Sequence, residues 1–375
     1  MSGRTVVVNA ATEIESAPSG FTTGSCVSVA GAAQADSSIL ASEIDAESSG
    51  DCSGVTQAAG FTRLEGTVQK APAGLGAGDW QIANRTVRVT STTSIDSSHG
   101  QIAPGSCVEA TGSLASDGTF LATSIESLSA SGTCVPEGGV VSSANFTGGA
   151  VSPGQLISIF GLNIGTPNQQ SGSIRSDGHL DDKLANVRVF FDGKSAPLLM
   201  VTPAQINAIV PFEVSGESAT LVQVQNNDVW SNPLLVPVAP ASPAIFTLTQ
   251  TGKGQVAALN VNQKDGSVTV NGVASAAPRG SIVTLYATGA GMGDGGNEDG
   301  LIIGTQLSHP QQKVRVSIGG QDAEVLYAGS APGMVSGVLQ VNVKVPPDAP
   351  QGNAVPVTLT VGDRDSRDGA TLAVK

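Results

Sequence analysis

Positive charge is scarce in this sequence. Lysine and arginine supply 18 of the 375 residues, against 31 aspartates and glutamates, which gives a formal net charge of −13. Proteins that bind nucleic acids use Lys and Arg to displace counterions from the phosphates. The charge balance therefore argues against a nucleic-acid partner.

Long apolar segments are also missing. No run approaches the roughly 20 apolar residues that a membrane-spanning helix needs, so we expect no membrane insertion. The chain passes from Met1 into a strand-like pattern at residues 4–8 without the apolar segment of a signal peptide. The 47 glycines and 20 prolines interrupt the chain so often that long helices are disfavoured and an all-β fold is predicted.

Histidine occurs three times, as His99, His179 and His309, and each lies beside turn residues in a different part of the chain. A Ser-His-Asp triad requires its members to converge on one pocket. We therefore predict that the protein is not an enzyme, with no catalytic residue and no cofactor.

The four cysteines, Cys26, Cys52, Cys107 and Cys134, fall into two internal repeats. Residues 4–8 align with residues 85–89 at an offset of 81, and the register holds through residues 24–27 and 105–108. Each copy owns one early and one late cysteine, which predicts the disulfides Cys26–Cys52 and Cys107–Cys134, each closing one module. Free buried thiols and a zinc site are the alternatives, and zinc would require ligands at much closer spacing.

Disulfides persist in oxidising compartments, so this pairing predicts an extracellular or cell-surface protein. We expect the export signal to lie upstream of Met1. The second copy is preceded by a hairpin-like segment, residues 64–82, that the first copy lacks. The first module is therefore expected to be an N-terminally incomplete barrel.

The second half of the chain carries another duplication. Residues 154–160 parallel residues 280–286, and residues 205–211 parallel residues 340–346. Apolar residues alternate with polar ones in these segments, which is the period of half-buried strands. About seven such strands per 100 residues is typical of an immunoglobulin-like sandwich.

Residues 1–135 resemble a bacterial domain family of unknown function with an OB-like small barrel, through residues 65–68, 105–109, 117–119 and 122–125. Residues 139–375 resemble the acidobacterial-type C-terminal domain family related to IPT/TIG immunoglobulin-like modules, through residues 152–161, 203–211, 285–289 and 325–343. These resemblances imply two tandem OB-like barrels followed by two tandem immunoglobulin-like sandwiches. The predicted domains are residues 1–55 and 56–135 for the barrels, 136–150 for a linker, and 151–245 and 246–375 for the sandwiches.

Two groups of residues are candidate ligand sites. Asp294, Asn297, Glu298 and Asp299 carry the hard oxygen atoms that calcium prefers, although they lack the EF-hand spacing, and a solvated loop is the alternative. Trp80 and Trp230 are candidate platforms for stacking against a sugar, with ordinary packing as the alternative. Asn207 and Asn342 occupy equivalent positions in the repeated Gln-x-Asn segment, which favours a structural role in pinning an adjacent loop.

The leading hypothesis is a non-catalytic exported or cell-surface protein that serves as a spacer, adhesion or assembly unit. One alternative is a carbohydrate-binding accessory region of a larger secreted enzyme. Another is a subunit of a filament or surface layer that assembles by β-strand addition at the edge of the incomplete first barrel. Other surface proteins or polysaccharides are the partners these hypotheses imply, and the sequence defines no oligomeric state.

Overall fold

The computed structural model describes four strands between Val6 and Ala46, and then residues 62–83, 85–98, 100–115, 117–129, 133–136, 138–366 and 369–375. These residues form β-strands, with short 3-10 turns at Ala73–Leu75 and Phe212–Val214 and no α-helix. In this described part, no helix has the length and apolar character needed to cross a membrane. The chain divides into two compact units, Met1–Phe61 and Thr62–Lys375.

The first unit contains a four-stranded sheet. Its strands are β1 (Val6–Val7), β2 (Glu13–Glu15), β3 (Val27–Ala33) and β4 (Ile39–Ala46). Strand β4 pairs with β1 and β2 in parallel and with β3 in antiparallel orientation. The predicted Cys26–Cys52 bridge lies outside the described residues.

The second unit begins with a closed five-stranded, OB-like barrel. The sheet has six strands, of which all but the short β8 form the closed order: β5 (Thr62–Lys70), β6 (Gly78–Ile82), β7 (Arg85–Val89), β8 (Ser94–Asp96), β9 (Cys107–Leu114) and β10 (Phe120–Ser129). The order β7-β6-β5-β9-β10 is closed by pairing of β7 with Phe120 and Leu121 of β10, and β8 pairs with β10 further along, at Ser124–Glu126.

The strand pairings repeat between the two copies at the offset predicted from the sequence. The pair Val6 with Ile39 recurs as Val87 with Phe120. Even the bulge between β3 and β4, at Ala30/Gly31, has a counterpart between β9 and β10. The predicted duplication therefore extends to the hydrogen-bonding register.

Trp80 lies at the centre of the barrel core and is 0% exposed. In β6 it alternates with the outward-facing Asp79 and Gln81, so the period of the strand directs the indole inward. Its Nε1 donates a hydrogen bond of 3.2 Å to the carbonyl oxygen of Gly76. The prediction of Trp80 as a sugar platform was wrong, and the packing alternative is correct.

The first immunoglobulin-like sandwich packs two sheets around one apolar core. One sheet has the order β11-β12-β17-β16-β13, and in the other β18 pairs with β14 on one side and with β19 and β20 on the other. The strands are β11 (Val140–Ser142), β12 (Leu156–Phe160), β13 (Gln170–Ser171), β14 (Val187–Phe191), β15 (Lys194–Ser195), β16 (Leu198–Val201), β17 (Gln205–Ile209), β18 (Ala219–Asn226), β19 (Val229–Trp230) and β20 (Leu234–Pro237).

The second sandwich is built from β21 (Ala244–Ile245), β22 (Gly254–Gln255), β23 (Ala258–Val261), β24 (Val268–Val270), β25 (Ile282–Thr288), β26 (Val314–Ile318), β27 (Gln321–Ser330), β28 (Val338–Lys344), β29 (Gly352–Val361), β30 (Arg364–Asp365) and β31 (Ala370–Val374). Strand β27 pairs with β26 through Gln321–Ala323 and with β28 from Glu324 onward, and a bulge between Val325 and Tyr327 interrupts the pairing with β28. This change of partner within one strand joins the two halves of the sandwich. Because β21 pairs with β25, the second sandwich begins before residue 246.

Equivalent asparagines make the same hydrogen bonds in both sandwiches. Asn207 Oδ1 accepts from Ser158 Oγ at 3.0 Å and from Gln205 Nε2 at 2.8 Å. Asn342 Oδ1 accepts from Thr284 Oγ1 at 2.9 Å and Gln340 Nε2 at 3.1 Å. The bonds from Ser158 and Thr284 join neighbouring strands, and the bonds from the two glutamines lie within one strand. The asparagines therefore have the predicted structural role, but they support the sheet instead of pinning a loop.

Residues 136–150 were predicted as a linker, and that prediction was wrong. Strand β11 pairs with β12, and the preceding Val135 is buried in the core of the first sandwich. The backbone amide and carbonyl of Val135 bond to the side chain of Asn232, each at 2.9 Å. The glycines and prolines of this segment therefore shape the edge of a sheet instead of separating two modules.

The predicted disulfide between Cys107 and Cys134 is present, and it crosses a module boundary. Cys107 begins β9 of the barrel, whereas Cys134 makes a backbone bridge to Leu162 of the first sandwich, with hydrogen bonds of 3.0 and 2.8 Å. The bridge was expected to close one module. It ties the barrel covalently to its neighbour instead.

Candidate functional site

The two sandwiches meet along an apolar cluster that we call the seam. It consists of Leu156, Leu180 and Ile209 from the first sandwich and Ala331, Val335 and Val338 from the second. All six side chains are buried. Burial of apolar surface shared between two modules favours one fixed arrangement of the pair.

Hydrogen bonds accompany the apolar contacts of the seam. The amide of Leu156 donates to Thr288 Oγ1 at 2.9 Å, and that hydroxyl donates to the carbonyl of Gly337 at 2.9 Å. The amide of Leu180 donates to Gly300 O and the amide of Ile302 donates to Gly178 O, each at 2.9 Å. The two modules thus share backbone pairing as well as a core.

A carboxyl group of the second sandwich is partly buried at the seam. Asp299 Oδ1 accepts a 2.9 Å hydrogen bond from the amide of Phe212 in the first sandwich. Burial raises the pKa of Asp299 to about 7, the Phe212 amide opposes this rise, and the neighbouring Glu213 carboxyl adds to it. Asp299 therefore takes up a proton more readily in the folded protein than in the unfolded chain.

This raised pKa predicts a loss of stability as the pH increases. Between about pH 4 and pH 7 the folded protein binds more protons than the unfolded chain, so the free energy of unfolding falls across this window. We expect a loss of roughly 1–2 kcal/mol between pH 5 and pH 8, discounted for solvent screening. Urea unfolding at the two pH values measures it.

The variant Asp299→Asn isolates this effect, because an amide preserves the shape and hydrogen bonding of the protonated acid. Its unfolding free energy should fall less between pH 5 and pH 8 than that of the unchanged protein. Asp322→Asn, at an exposed position of the same sandwich, serves as the control. An identical pH dependence for Asp299→Asn and the unchanged protein would contradict the role of Asp299.

The structure does not bring the predicted calcium ligands together. Asp294 accepts from the amide of His309, Asn297 bonds to the backbone of Gly293, and Glu298 lies 3.3 Å from His179 Nε2. Asp299 turns to the seam. No cluster of three or more acidic, histidine or cysteine side chains suited to a metal occurs among the described residues. The four side chains have separate partners, so this arrangement does not support the calcium site, which stays a prediction.

His309 makes polar and aromatic contacts on the surface of the second sandwich. His309 Nδ1 is 3.3 Å from Asp294 Oδ2, and its ring meets the ring of Tyr327 edge-on at 5.7 Å. The hydroxyl of the adjacent Ser308 donates to the same Asp294 carboxylate. In this arrangement the serine and the histidine both turn to the carboxylate, unlike the serine-to-histidine order of a triad.

The second candidate tryptophan, Trp230, lies on the outer surface of the first sandwich. It follows a two-residue turn at Asn227 and Asp228, both with positive φ, as a type I′ hairpin requires. Its side chain is 45% exposed. Trp230 is the second residue of β19, the strand that follows this turn.

Trp230 belongs to a row of outward-facing residues across three strands. Arg188 of β14 lies opposite Gln225 of β18, and Gln225 lies opposite Trp230 of β19. In the next row, Phe190 lies opposite Gln223. We call these five residues the Trp230 face. Sequence reasoning missed Arg188 and Phe190, although the alternation of β14 signals that both point away from the core.

The second sandwich carries a groove of about 540 Å³ where β26 and β27 diverge. Its floor is aliphatic, formed by Val314, Val316, Ala323, Val325 and Ala328. Lys313, Arg315 and Asp322 stand around it. This combination does not mark a particular ligand.

Residues 1–45 and 65–126 match a family profile described as a domain of unknown function, DUF5666. These segments cover most of the two N-terminal copies, and the match supports their resemblance to a family without an assigned activity. No curated protein matches the chain. Among solved structures, the plexin A4 full extracellular region, domains 1 to 8, matches with 12% identity and a TM-score of 0.21. That alignment covers 62% of this chain and 17% of the plexin chain, and at this score the likeness supports no inference.

Proposed function

We propose that this protein is a non-catalytic, exported or cell-surface modular protein that acts as a rigid spacer or assembly unit. The observation that carries the proposal is the seam, where two sandwiches share a buried apolar cluster and backbone hydrogen bonds. Modules joined only by a linker would not hold a fixed distance between their ends. A spacer needs a fixed distance.

The disulfide supports the exported location. Cys107 and Cys134 are bonded, and disulfides of this kind are rare in reducing compartments. The bond also joins the second barrel covalently to the first sandwich. Kinship of the sandwiches with IPT/TIG modules is part of the proposal, and the repeated Gln-Asn hydrogen bonds support a common origin for the two.

Assembly by β-strand addition at the first barrel remains a hypothesis. In that module the described strands β1 to β4 form one sheet. The second barrel offers no comparable edge, because its five strands close on themselves.

Distance measurements between spin labels test the rigid spacer. Labels carried by non-natural amino acids at the exposed positions Lys194 and Lys264 report on the two sandwiches without disturbing the disulfides. We expect one narrow distance distribution, because the seam fixes the modules. Labels at Lys264 and Glu324, both in the second sandwich, supply the width expected within one module. A distribution across the seam several times broader than this reference would refute the proposal.

A further inference from the structure

The Trp230 face combines one aromatic pair with three polar side chains on the outer side of a sheet. Residues directly opposite each other in antiparallel strands point to the same side, so Arg188, Gln225 and Trp230 stand side by side. Neighbouring strands lie about 4.8 Å apart, so the row spans roughly 10 Å. This is the dimension of about two sugar rings.

The indole of Trp230 is held in place while remaining accessible. Its ring centroid lies 5.0 Å from that of Phe190, with the planes tilted by 41°. Such contacts between aromatic rings favour one orientation of each ring. Trp230 is nevertheless 45% exposed, so part of its surface is available to a ligand.

Arg188 brings a positive charge to this face without a counterion from the protein. Within the described part of the chain, Arg188 forms no ion pair, and its Nε is covered by neighbouring atoms without a hydrogen-bond partner. The other members of the Trp230 face are neutral. A guanidinium without a carboxylate partner is suited to pair with the carboxylate of a ligand.

We propose that the Trp230 face binds an acidic polysaccharide. One sugar ring lies against the indole of Trp230, the carboxylate of a uronate residue meets the guanidinium of Arg188, and the amides of Gln223 and Gln225 bond to hydroxyl groups. This site goes beyond the spacer role and does not depend on it. If the two sandwiches prove rigidly joined but the protein binds no acidic polysaccharide, this inference fails and the spacer proposal stands.

The composition of the face favours a sugar over a protein partner. Stable protein interfaces bury about 800 Å² per partner around an apolar centre. Here two amides and a guanidinium surround a single aromatic pair, so most of the face offers hydrogen bonds. The hydroxyl and carboxylate groups of an acidic sugar match that pattern.

Binding to polygalacturonate and to its methyl ester tests the proposal, because the two polymers share a backbone and differ in charge. Affinity electrophoresis or calorimetry with the full chain should show binding to polygalacturonate. Trp230→Ala should weaken this binding at least tenfold. Phe160→Ala is the matched control, because Phe160 is also a partly exposed aromatic residue paired with another, Phe146, on the other sheet.

Arg188→Gln separates charge recognition from stacking. It should reduce the preference for polygalacturonate over the methyl ester while leaving binding to the ester unchanged. Thermal unfolding of each variant verifies that the fold is intact.

Three outcomes would overturn the proposal. They are absence of binding to both polymers, an unchanged affinity in Trp230→Ala, and equal loss of binding in the Phe160→Ala control. Capture of a protein partner through Trp230 without polysaccharide binding would assign the face to a protein interface instead.

Discussion

Replacing Cys107 and Cys134 together by serine is expected to lower the free energy of unfolding by about 3–4 kcal/mol. The two cysteines lie 27 positions apart in the sequence, and a bond closing a loop of this size stabilises the folded state by about that amount because it restricts the unfolded chain. Because Cys134 is anchored to Leu162 of the first sandwich, the loss should affect the attachment of the barrel as well as its stability.

Tryptophan fluorescence makes this loss measurable in one module. Trp80 is buried in the barrel, so in a Trp230→Phe background its emission follows the unfolding of the barrel alone. The reference protein carries Trp230→Phe with both cysteines intact. A change in unfolding free energy below about 1 kcal/mol would show that the bond contributes little to the folded unit.

Gly337→Val is expected to separate the two sandwiches. A Cβ atom at this position would lie 1.9 Å from the carbonyl oxygen of Gly154, and Gly337 has a φ of +102°. The side chain therefore meets backbone of the other module in a conformation that valine disfavours. Strain and overpacking together should destabilise the seam by about 3 kcal/mol or more.

The spin-label distances across the seam provide the measurement. In Gly337→Val we expect the distribution between positions 194 and 264 to broaden, while the reference pair at 264 and 324 keeps its width. Gly304→Val is the matched control, since a Cβ there meets no atom within 4 Å and the residue is in the same sandwich. A narrow distribution in Gly337→Val would contradict the role of the seam.

Repetition in the sequence predicted much of the fold. The offset of 81 between the first two copies predicted equivalent strands, and even the paired residues correspond. Alternation of apolar and polar residues identified strands such as β28, where Val341 and Val343 are buried and Asn342 is only partly so. The repeat and the alternation can both be recognised without knowing which parts of the chain contact each other in the folded protein.

Features that depend on contacts between modules were not predicted. The seam joins residues far apart in sequence, such as Leu156 and Val338, and each would equally suit the core of its own sandwich. Residues 136–150 contain turn-forming residues that are common both in linkers and at sheet edges. The sequence could have distinguished Trp80 from Trp230. Two positions after Trp80 lies an aliphatic residue, Ile82, on the same side of the strand, whereas Trp230 has polar residues two positions away on either side.

The bond between Cys107 and Cys134 also determines how the protein responds to mechanical tension. A force applied to the two ends of the chain passes from Cys107 through the sulfur atoms to Cys134 and into the first sandwich. The 26 residues between them, including β10, are shielded from this load. When the barrel is pulled open, its extension should be shorter by about 90 Å than that of the reduced protein. The disulfide would therefore limit stretching at the boundary between barrel and sandwich.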